Sequence, residues 1–363
     1  MFDAGIADVH SIFELISEKL KRLCKIAAAE SKVTKELGRD AVVLVVVTNE
    51  ESNSRIVDFY KQHAYFGYKT VIFYKQTHLP VCDEQGKMHF RNRGHLLVAP
   101  NGNGAIFVAE SWKEVVQQLK KCGVEHLQVT GIDNILCKWG DPRMLGVLLA
   151  GGGGRDVVCK FVSKKHAHEK VGVFALVDGK PSVIEYSVIG KDLSEKKNEE
   201  GELQYKHANI LNFMMKLQWL EDQVMCEAHR EALNMMYNVS IKDVKHMHLQ
   251  DFSVVQSKAV KFELFVHECL SLCAAGRFVL LECDRSEEFA PIKNSLKEPA
   301  DNPHTALDLY VKYHQQLLLQ HHYKFKDTAD VHDGCFIHPS VSYDGEQLPP
   351  PPASILELPF VLK

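Results

Sequence analysis

At 363 residues and 41.1 kDa the chain has room for two domains, or for one large domain with an appendage, and for an ample core. Its 43 basic residues against 47 acidic ones leave a net charge of −4, and 45% hydrophobic with 25% charged residues is ordinary globular composition, which excludes a basic nucleic-acid binder. The longest apolar run, Ala41 to Val47, is far short of the roughly 18 residues of a membrane span, and the opening MFDAGIADVH lacks a basic n-region and an apolar h-region, so neither membrane insertion nor secretion is expected.

Ile12, Leu15, Ile16, Leu20, Leu23, Cys24 and Ala27 recur at helical steps, and Ser11 to Glu14 before them forms a capping-box pattern. After a polar stretch comes Ala41 to Thr48, β-branched and apolar on both faces, as a strand covered by helices on both sides must be. A helix at about Ser54 to His63 and a strand at Val71 to Tyr74 continue the alternation, which predicts a doubly wound α/β fold. A strand in front of the first helix is expected and is not found, because a crossover helix normally has one. The stretch from Lys75 to Gly104 shows little periodicity and is too long for an ordinary connection, so function is expected there. It ends in PNGNG, Pro100 to Gly104, followed by one continuous helix from Ala105 to Leu119 stopped by Gly123.

The strand His126 to Thr130 runs into Gly131-Ile132-Asp133-Asn134, which places Asp133 past a strand's carboxyl end, where open α/β sheets bind ligands. Next are a strand at Val157 to Val162 and a hairpin with arms Val171 to Val177 and Ser182 to Val188, turned by Asp178-Gly179, with Glu185 and Tyr186 on its second arm. Glu195 to Glu202 reads as a solvated loop, Met214 to Met236 and Val260 to Ala274 as helices, and Phe278 to Glu282 as a strand before Pro291-Ile292-Lys293-Asn294. Beyond Glu298 the composition changes to a His- and Gln-rich helix, Thr305 to Tyr323, and a proline-rich tail, which predicts a catalytic domain over 1–298 and a small C-terminal domain over 299–363.

Several features carry less than their appearance suggests. Gly151 to Gly154 lack a following Lys-Ser/Thr pair and read as a helix-to-strand connection rather than a phosphate loop. Ten cysteines are scattered with no CxxC; Cys269 and Cys273 read as core positions, and the pattern predicts a reducing compartment, the cytosol. His246-Met247-His248 and His321-His322 read as exposed histidines. PNGNG alone makes either a turn or a close approach of backbone N–H groups to an anion, and Asp133 alone is either a cap or a ligand for a hard cation such as Mg²⁺.

Taken together and in order, YFGYKTVIFYKQTHLP, APNGNG, GIDNILCKWGDPRMLG, VIEYSVIG, QYKHANI and FAPIKN resemble the eukaryotic UDP-N-acetylglucosamine pyrophosphorylases, over nearly the whole chain to about Gly345. The resemblance implies a Rossmann-like nucleotidyltransferase core with a mixed sheet, and a Mg²⁺-dependent reaction that joins UTP and N-acetylglucosamine 1-phosphate into UDP-N-acetylglucosamine and pyrophosphate. Related enzymes that make UDP-glucose carry a Gly-His-Gly element where this chain has Gly102-Asn103-Gly104. By motif, Gln76 and the Gly102 backbone correspond to the uracil-reading groups, and Asp133 to the nucleotide-site aspartate that holds Mg²⁺. Lys258 corresponds, on a segment of different length, to a lysine near the UTP phosphates. Asn103, Glu185, Tyr186 and Asn209 correspond to sugar-binding positions, and Lys293 to a lysine beside the sugar phosphate, making Asp133 and Lys293 the expected catalytic pair.

Such a reaction asks the protein only to position two anions and neutralise their charge, so no nucleophilic side chain is needed. Two departures stand out: Asn101 replaces the family's aspartate, and the strand and glycine-rich loop that precede the equivalent of Met1 in the family are not in this sequence. The expectation is therefore either a shortened product of a longer enzyme or a short form that binds UDP-sugar without turnover.

Overall fold

The computed structural model describes residues 3–30, 42–326 and 334–363. Helix α1 (Ile12–Glu30) starts where the capping pattern places it. Ser11 Oγ accepts from Glu14 N at 3.1 Å, but the Glu14 carboxylate reaches back one residue further than a standard capping box and accepts from His10 N at 2.8 Å. Strand β1 (Leu44–Thr48), helix α2 (Asn53–Gln62) and strand β2 (Val71–Lys75) follow, with β1 and β2 paired in parallel from Leu44–Val71 to Thr48–Lys75. Ala41, the first residue of the expected strand, lies outside the described residues. Val42, Leu44 and Val46 face one hydrophobic cluster and Val43 and Val45 another, which is the two-sided covering the β-branched run predicts.

The segment after β2 is more ordered than its lack of periodicity implies. Four short strands, β3 (His78–Pro80), β4 (Phe90–Asn92), β5 (His95–Leu96) and β6 (Val98–Pro100), carry it, β3 pairing with β6 and β4 with β5. Runs of two or three residues are too short for an alternation to register. The expected continuous helix from Ala105 is instead two, α3 (Ala105–Val108) and α4 (Trp112–Lys121), because Ala109 takes an extended conformation. Ile106, Phe107, Trp112, Val115, Val116 and Leu119 still face one core, so the apolar period survives the break.

Strand β7 (His126–Thr130), helix α5 (Pro142–Leu149), strand β8 (Val157–Ser163) and the hairpin β9 (Val173–Val177) and β10 (Lys180–Ile184) complete the middle of the chain. Gly151 to Gly153 take positive φ and link α5 to β8 as expected, and Asp178 and Gly179 at φ 50° and 75° turn the hairpin. The second arm ends at Ile184, so Glu185 and Tyr186 stand in the turn beyond it rather than on the strand.

After the short helix α6 (Lys191–Ser194), the region expected to be helical from Met214 begins inside a strand, β11 (His207–Lys216). It continues through α7 (Leu217–Trp219), a wide turn at Leu220–Val224 and α8 (Glu227–Leu233). β11 is central and covered on both faces, and a buried apolar run of this kind has the composition of a buried helix. The helix expected from Val260 is likewise the end of a strand: β12 (Asn238–Met247) and β13 (Val254–Glu263) form a ten-residue hairpin, and a 3₁₀ segment, Val266–Leu272, follows. Strand β14 (Phe278–Glu282), helices α9 (Arg285–Glu288) and α10 (Pro303–Gln320), and strands β15 (Cys335–Ile337) and β16 (Phe360–Leu362) close the chain.

The main sheet is mixed and six-stranded, in the order β10-β9-β11-β8-β14, with β7 paired to the second half of β11. β8 and β14 are parallel, while β11 runs antiparallel to β7, β8 and β9. Among the described residues the β1–β2 ladder is hydrogen-bonded to no strand of this sheet. One hydrophobic cluster packs α4, β8, β11 and the 266–272 segment together; a second joins α1, α2 and α10 through Leu15, Leu20, Tyr60, Tyr310 and Val311.

Candidate active site

Asp133 sits in the turn after β7, half-buried, on a segment zippered to the stretch that carries Lys293. Ile292 N donates to Asp133 O at 2.8 Å and Ile135 N to Ala290 O at 3.3 Å. Between them the Asn134 amide bonds the Glu288 carbonyl at 2.7 Å and accepts from Ala290 N at 2.9 Å, satisfying backbone that would otherwise be buried unpaired. Asp133 and Lys293, far apart in sequence, are thus fixed on neighbouring strands of backbone. The Asp133 carboxylate folds back over Gly131, where an added Cβ would meet Oδ1 at 2.6 Å.

Beneath this zipper lies a buried ion network. Lys160, fully buried on β8, holds Asp141 on one side and Glu288 on the other. Arg143 bonds the second Glu288 oxygen at 2.8 Å, and Asp141 also caps α5 by accepting from Arg143 N at 2.7 Å. Burial pulls the Lys160 amine down, but the two carboxylates outweigh it and hold the amine above its ordinary value.

The glycine element packs on the protein's own chain. A Cβ at Gly102, which has φ of 92°, or at Gly104 would overlap the backbone of Leu264 and Phe265, so both positions exclude a side chain. Leu264 N donates to Asn101 O at 2.9 Å and Gly104 N to Leu264 O at 2.8 Å. Asn103 Oδ1 accepts from Val266 N at 2.9 Å, which pins the start of the 266–272 segment. Asn101 is 5% exposed and donates to Thr77 Oγ1 at 2.7 Å, and Asn101 N also reaches Thr77 O at 3.4 Å. Gln76, whose N–H extends the β2 ladder to Thr48 O at 2.9 Å, is thereby brought beside Gly102.

The third group gathers around Glu185. Its carboxylate lies over Gly172, where a Cβ would meet Oε1 at 2.9 Å, and 3.8 Å from His267 Nε2. Burial raises the Glu185 carboxyl and the Lys293 charge partly offsets this. Asn209 N donates to Gly172 O at 2.8 Å at the bulge of β11, where the register with β8 shifts and Leu211 takes φ of 52°. Backbone pairing thus ties Asp133 to Lys293, and the 266–272 segment ties His267, which lies 3.8 Å from Glu185, to Asn103 and Gly102, with Gln76 beside them; Lys293 is linked to Glu185 through its charge. Tyr186 is next to Glu185 and 50% exposed. Lys258 stands apart, exposed on the β12–β13 hairpin opposite Asp243, and among the described residues no contact ties it to this group.

His267 and Glu268 belong to the same group and are not legible in the sequence, because their segment has the apolar period of the helix expected there. Burial drives the His267 imidazole down to about 4, and burial with the charge of Glu185 pushes the Glu268 carboxyl up to about 7. Among the described residues no cluster of three or more His, Cys, Asp or Glu side chains forms a metal site, and none of the ten cysteines is in a disulfide.

A model of the family described as "UTP--glucose-1-phosphate uridylyltransferase" matches residues 23–358. The chain belongs to this uridylyltransferase family. Within it, the chain is similar to the UDP-N-acetylhexosamine pyrophosphorylase-like protein 1 of Xenopus tropicalis, 30% identical over 96% of this chain and 66% of that protein. It is similar also to the UDP-N-acetylglucosamine pyrophosphorylase of Saccharomyces cerevisiae, 29% identical over 96% of this chain and 70% of that one. The chain thus spans about two thirds of the length of these relatives. Among solved structures, the putative UDP-N-acetylglucosamine pyrophosphorylase of Entamoeba histolytica matches with a TM-score of 0.83 at 27% identity, covering 97% of this chain and 85% of that one. The uridylyltransferase fold and its mixed sheet, expected from the ordered motifs, are borne out.

Proposed function

We propose that the chain is a uridylyltransferase that forms UDP-N-acetylglucosamine and pyrophosphate from UTP and N-acetylglucosamine 1-phosphate. The observation that carries this reading is that backbone pairing joins Asp133 to Lys293, whose charge acts on Glu185, while the segment bearing His267 beside Glu185 is pinned to the Gly102–Asn103 element, in a chain similar over 96% of its length to a UDP-N-acetylglucosamine pyrophosphorylase. In this reading Gln76 and the Gly102 backbone take the uracil edge. Glu185, Tyr186 and Asn209 take the sugar, with Asn103 at its edge, and Lys293 lies along the phosphates, while Lys258, exposed on the β12–β13 hairpin apart from this group, is left outside it.

An oxygen of the sugar 1-phosphate attacks the α-phosphorus of UTP in line, pyrophosphate leaves, and the chain's part is to hold two anions together. Lys293 supplies charge between them, and the backbone zipper fixes it beside Asp133. Mg²⁺, where bound, would neutralise phosphate charge. Asp133 suits that ion: a single carboxylate at a strand end, with no closed cage of protein ligands among the described residues, fits a cation that keeps waters and shares substrate oxygens. A cytosolic place of action belongs to this reading, carried by ten cysteines scattered along the sequence with no CxxC pair.

The test is pyrophosphate release by the 363-residue chain with UTP, Mg²⁺ and N-acetylglucosamine 1-phosphate, beside the same assay with glucose 1-phosphate. Faster release with the N-acetylated substrate is expected; faster release with glucose 1-phosphate overturns the choice of sugar. Binding of UDP-N-acetylglucosamine without release in either assay overturns the transferase and leaves a nucleotide-sugar binder.

A further inference from the structure

Glu185 does not face its subsite alone. The 266–272 segment lays His267 and Glu268 against the end of β10, and the His267 ring is 5% exposed with no hydrogen bond to its Nε2. That nitrogen is 3.6 Å from Glu268 Oε1 and 3.8 Å from Glu185 Oε1, beyond hydrogen-bond reach of either. A buried ring nitrogen without a partner is costly and uncommon, so a position of this kind is built for a group that arrives from outside. Both carboxylates keep about a quarter of their side-chain surface open, 25% for Glu268 and 23% for Glu185, so the pair beside the buried ring is open to solvent.

Charge selects what can arrive. Two carboxyls against a neutral imidazole repel a phosphate and cannot both stay ionised at low cost, and a neutral group with both a donor and an acceptor suits them. The groups facing Glu268 are Glu185, from the turn after β10, and His267 and the protonated Cys269 thiol on its own segment; the Lys293 charge acts on Glu185.

We infer that His267 and Glu268, with Glu185, form a subsite for a neutral polar group of the sugar, a hydroxyl or an amide, in which the Glu268 carboxyl carries a proton and donates it in a hydrogen bond. This rests on the reading of the site as one for a nucleotide sugar. Ordinary titration of Glu268 near neutrality, raised by burial and by Glu185, then makes sugar affinity weaken as pH rises from 6 to 8.

The experiment compares calorimetric affinities of the full chain for UDP-N-acetylglucosamine and for the methyl ester of UDP, which carries the same fixed charge without the terminal phosphate ionisation near pH 6 that free UDP has, so that their ratio reports the sugar contacts alone. Glu268→Ala and His267→Leu are expected to lower that ratio by about tenfold each, the loss of one hydrogen bond to a buried group. Glu268→Gln, neutral at every pH and still a donor, is expected to hold the ratio near the wild-type value at pH 6 and to abolish its decline towards pH 8. A ratio unchanged in Glu268→Ala and His267→Leu, or a pH dependence that survives in Glu268→Gln, overturns the inference while binding of the UDP ester leaves the nucleotide reading intact. A wild-type chain that binds neither ligand overturns the reading itself.

Discussion

Gly131 is small because the Asp133 carboxylate folds back over it, so the two positions are tested together. Asp133→Asn removes a charge without changing shape and is expected to slow pyrophosphate release by about 10²- to 10³-fold, the scale of losing one electrostatic contact to the reacting phosphates. Gly131→Ala leaves the carboxylate charged but forces it aside, since the new Cβ would lie 2.6 Å from Oδ1. Its expected effect is a higher Mg²⁺ requirement at near-normal stability, read by titrating the metal in the release assay; an unchanged requirement counts against Asp133 as the metal-bearing residue. Gly102 belongs to another class. Its φ of 92° and the Leu264 backbone both exclude a side chain, so Gly102→Ala is expected to cost about 1–3 kcal/mol or more of stability in a urea titration.

The elements that bear the site are held from below by Lys160, and magnitudes separate it from its neighbour. Lys160→Ala leaves Asp141 in the core without its ion-pair partner and strips one cation from Glu288, which keeps Arg143 and Lys138, and is expected to lose about 3 kcal/mol in guanidinium unfolding, because a buried unpaired carboxylate is what costs. Arg143→Ala removes a partner of the same Glu288, but the Arg143 side chain is 61% exposed, so the expected loss is below about 1 kcal/mol. The same network explains what could be read in advance. Asp133 and Lys293 lie in sequence motifs whose order carried the family resemblance, and β7, β8 and β14 were legible as short β-branched runs bounded by turns. β11 and the β12–β13 hairpin were not, because MMK on a strand buried on both faces and VKFELF across a strand end offer the same spacing as helices. That confusion concealed Glu268 and His267: a site residue inside a wrongly assigned helix points nowhere in particular. The contact of Asn103 with Val266, across more than 160 residues, had no local signal at all.

At the scale of the whole molecule, α1 and α10 close on each other and on the 335–337 strand, and that packing buries groups that prefer charge. His314 is 6% exposed, and its Nδ1 accepts from Ile337 N at 2.9 Å, so the ring is neutral and tautomerically fixed. Burial drives its pKa down to about 3, with the nearby Lys19 charge adding to the shift. Burial likewise lowers His267 to about 4. A histidine depressed in the folded state binds fewer protons than when unfolded, so between the unfolded value of about 6.5 and these folded values stability falls as pH falls. Glu268 has the opposite sign: raised to about 7, it binds more protons when folded, and stability falls as pH rises from about 4.5 to 7. Glu185, raised by burial as well but not so far, shares the sign of Glu268, and the two deeply shifted histidines outweigh them to leave a net loss on acidification below about pH 6. The expected result is a melting temperature that declines from pH 6.5 to 4.5, and a shallower decline in His314→Gln, which keeps an acceptor for Ile337 N without a site that must take up a proton. Equal slopes in the two proteins would place the acid sensitivity elsewhere than the α1–α10 junction.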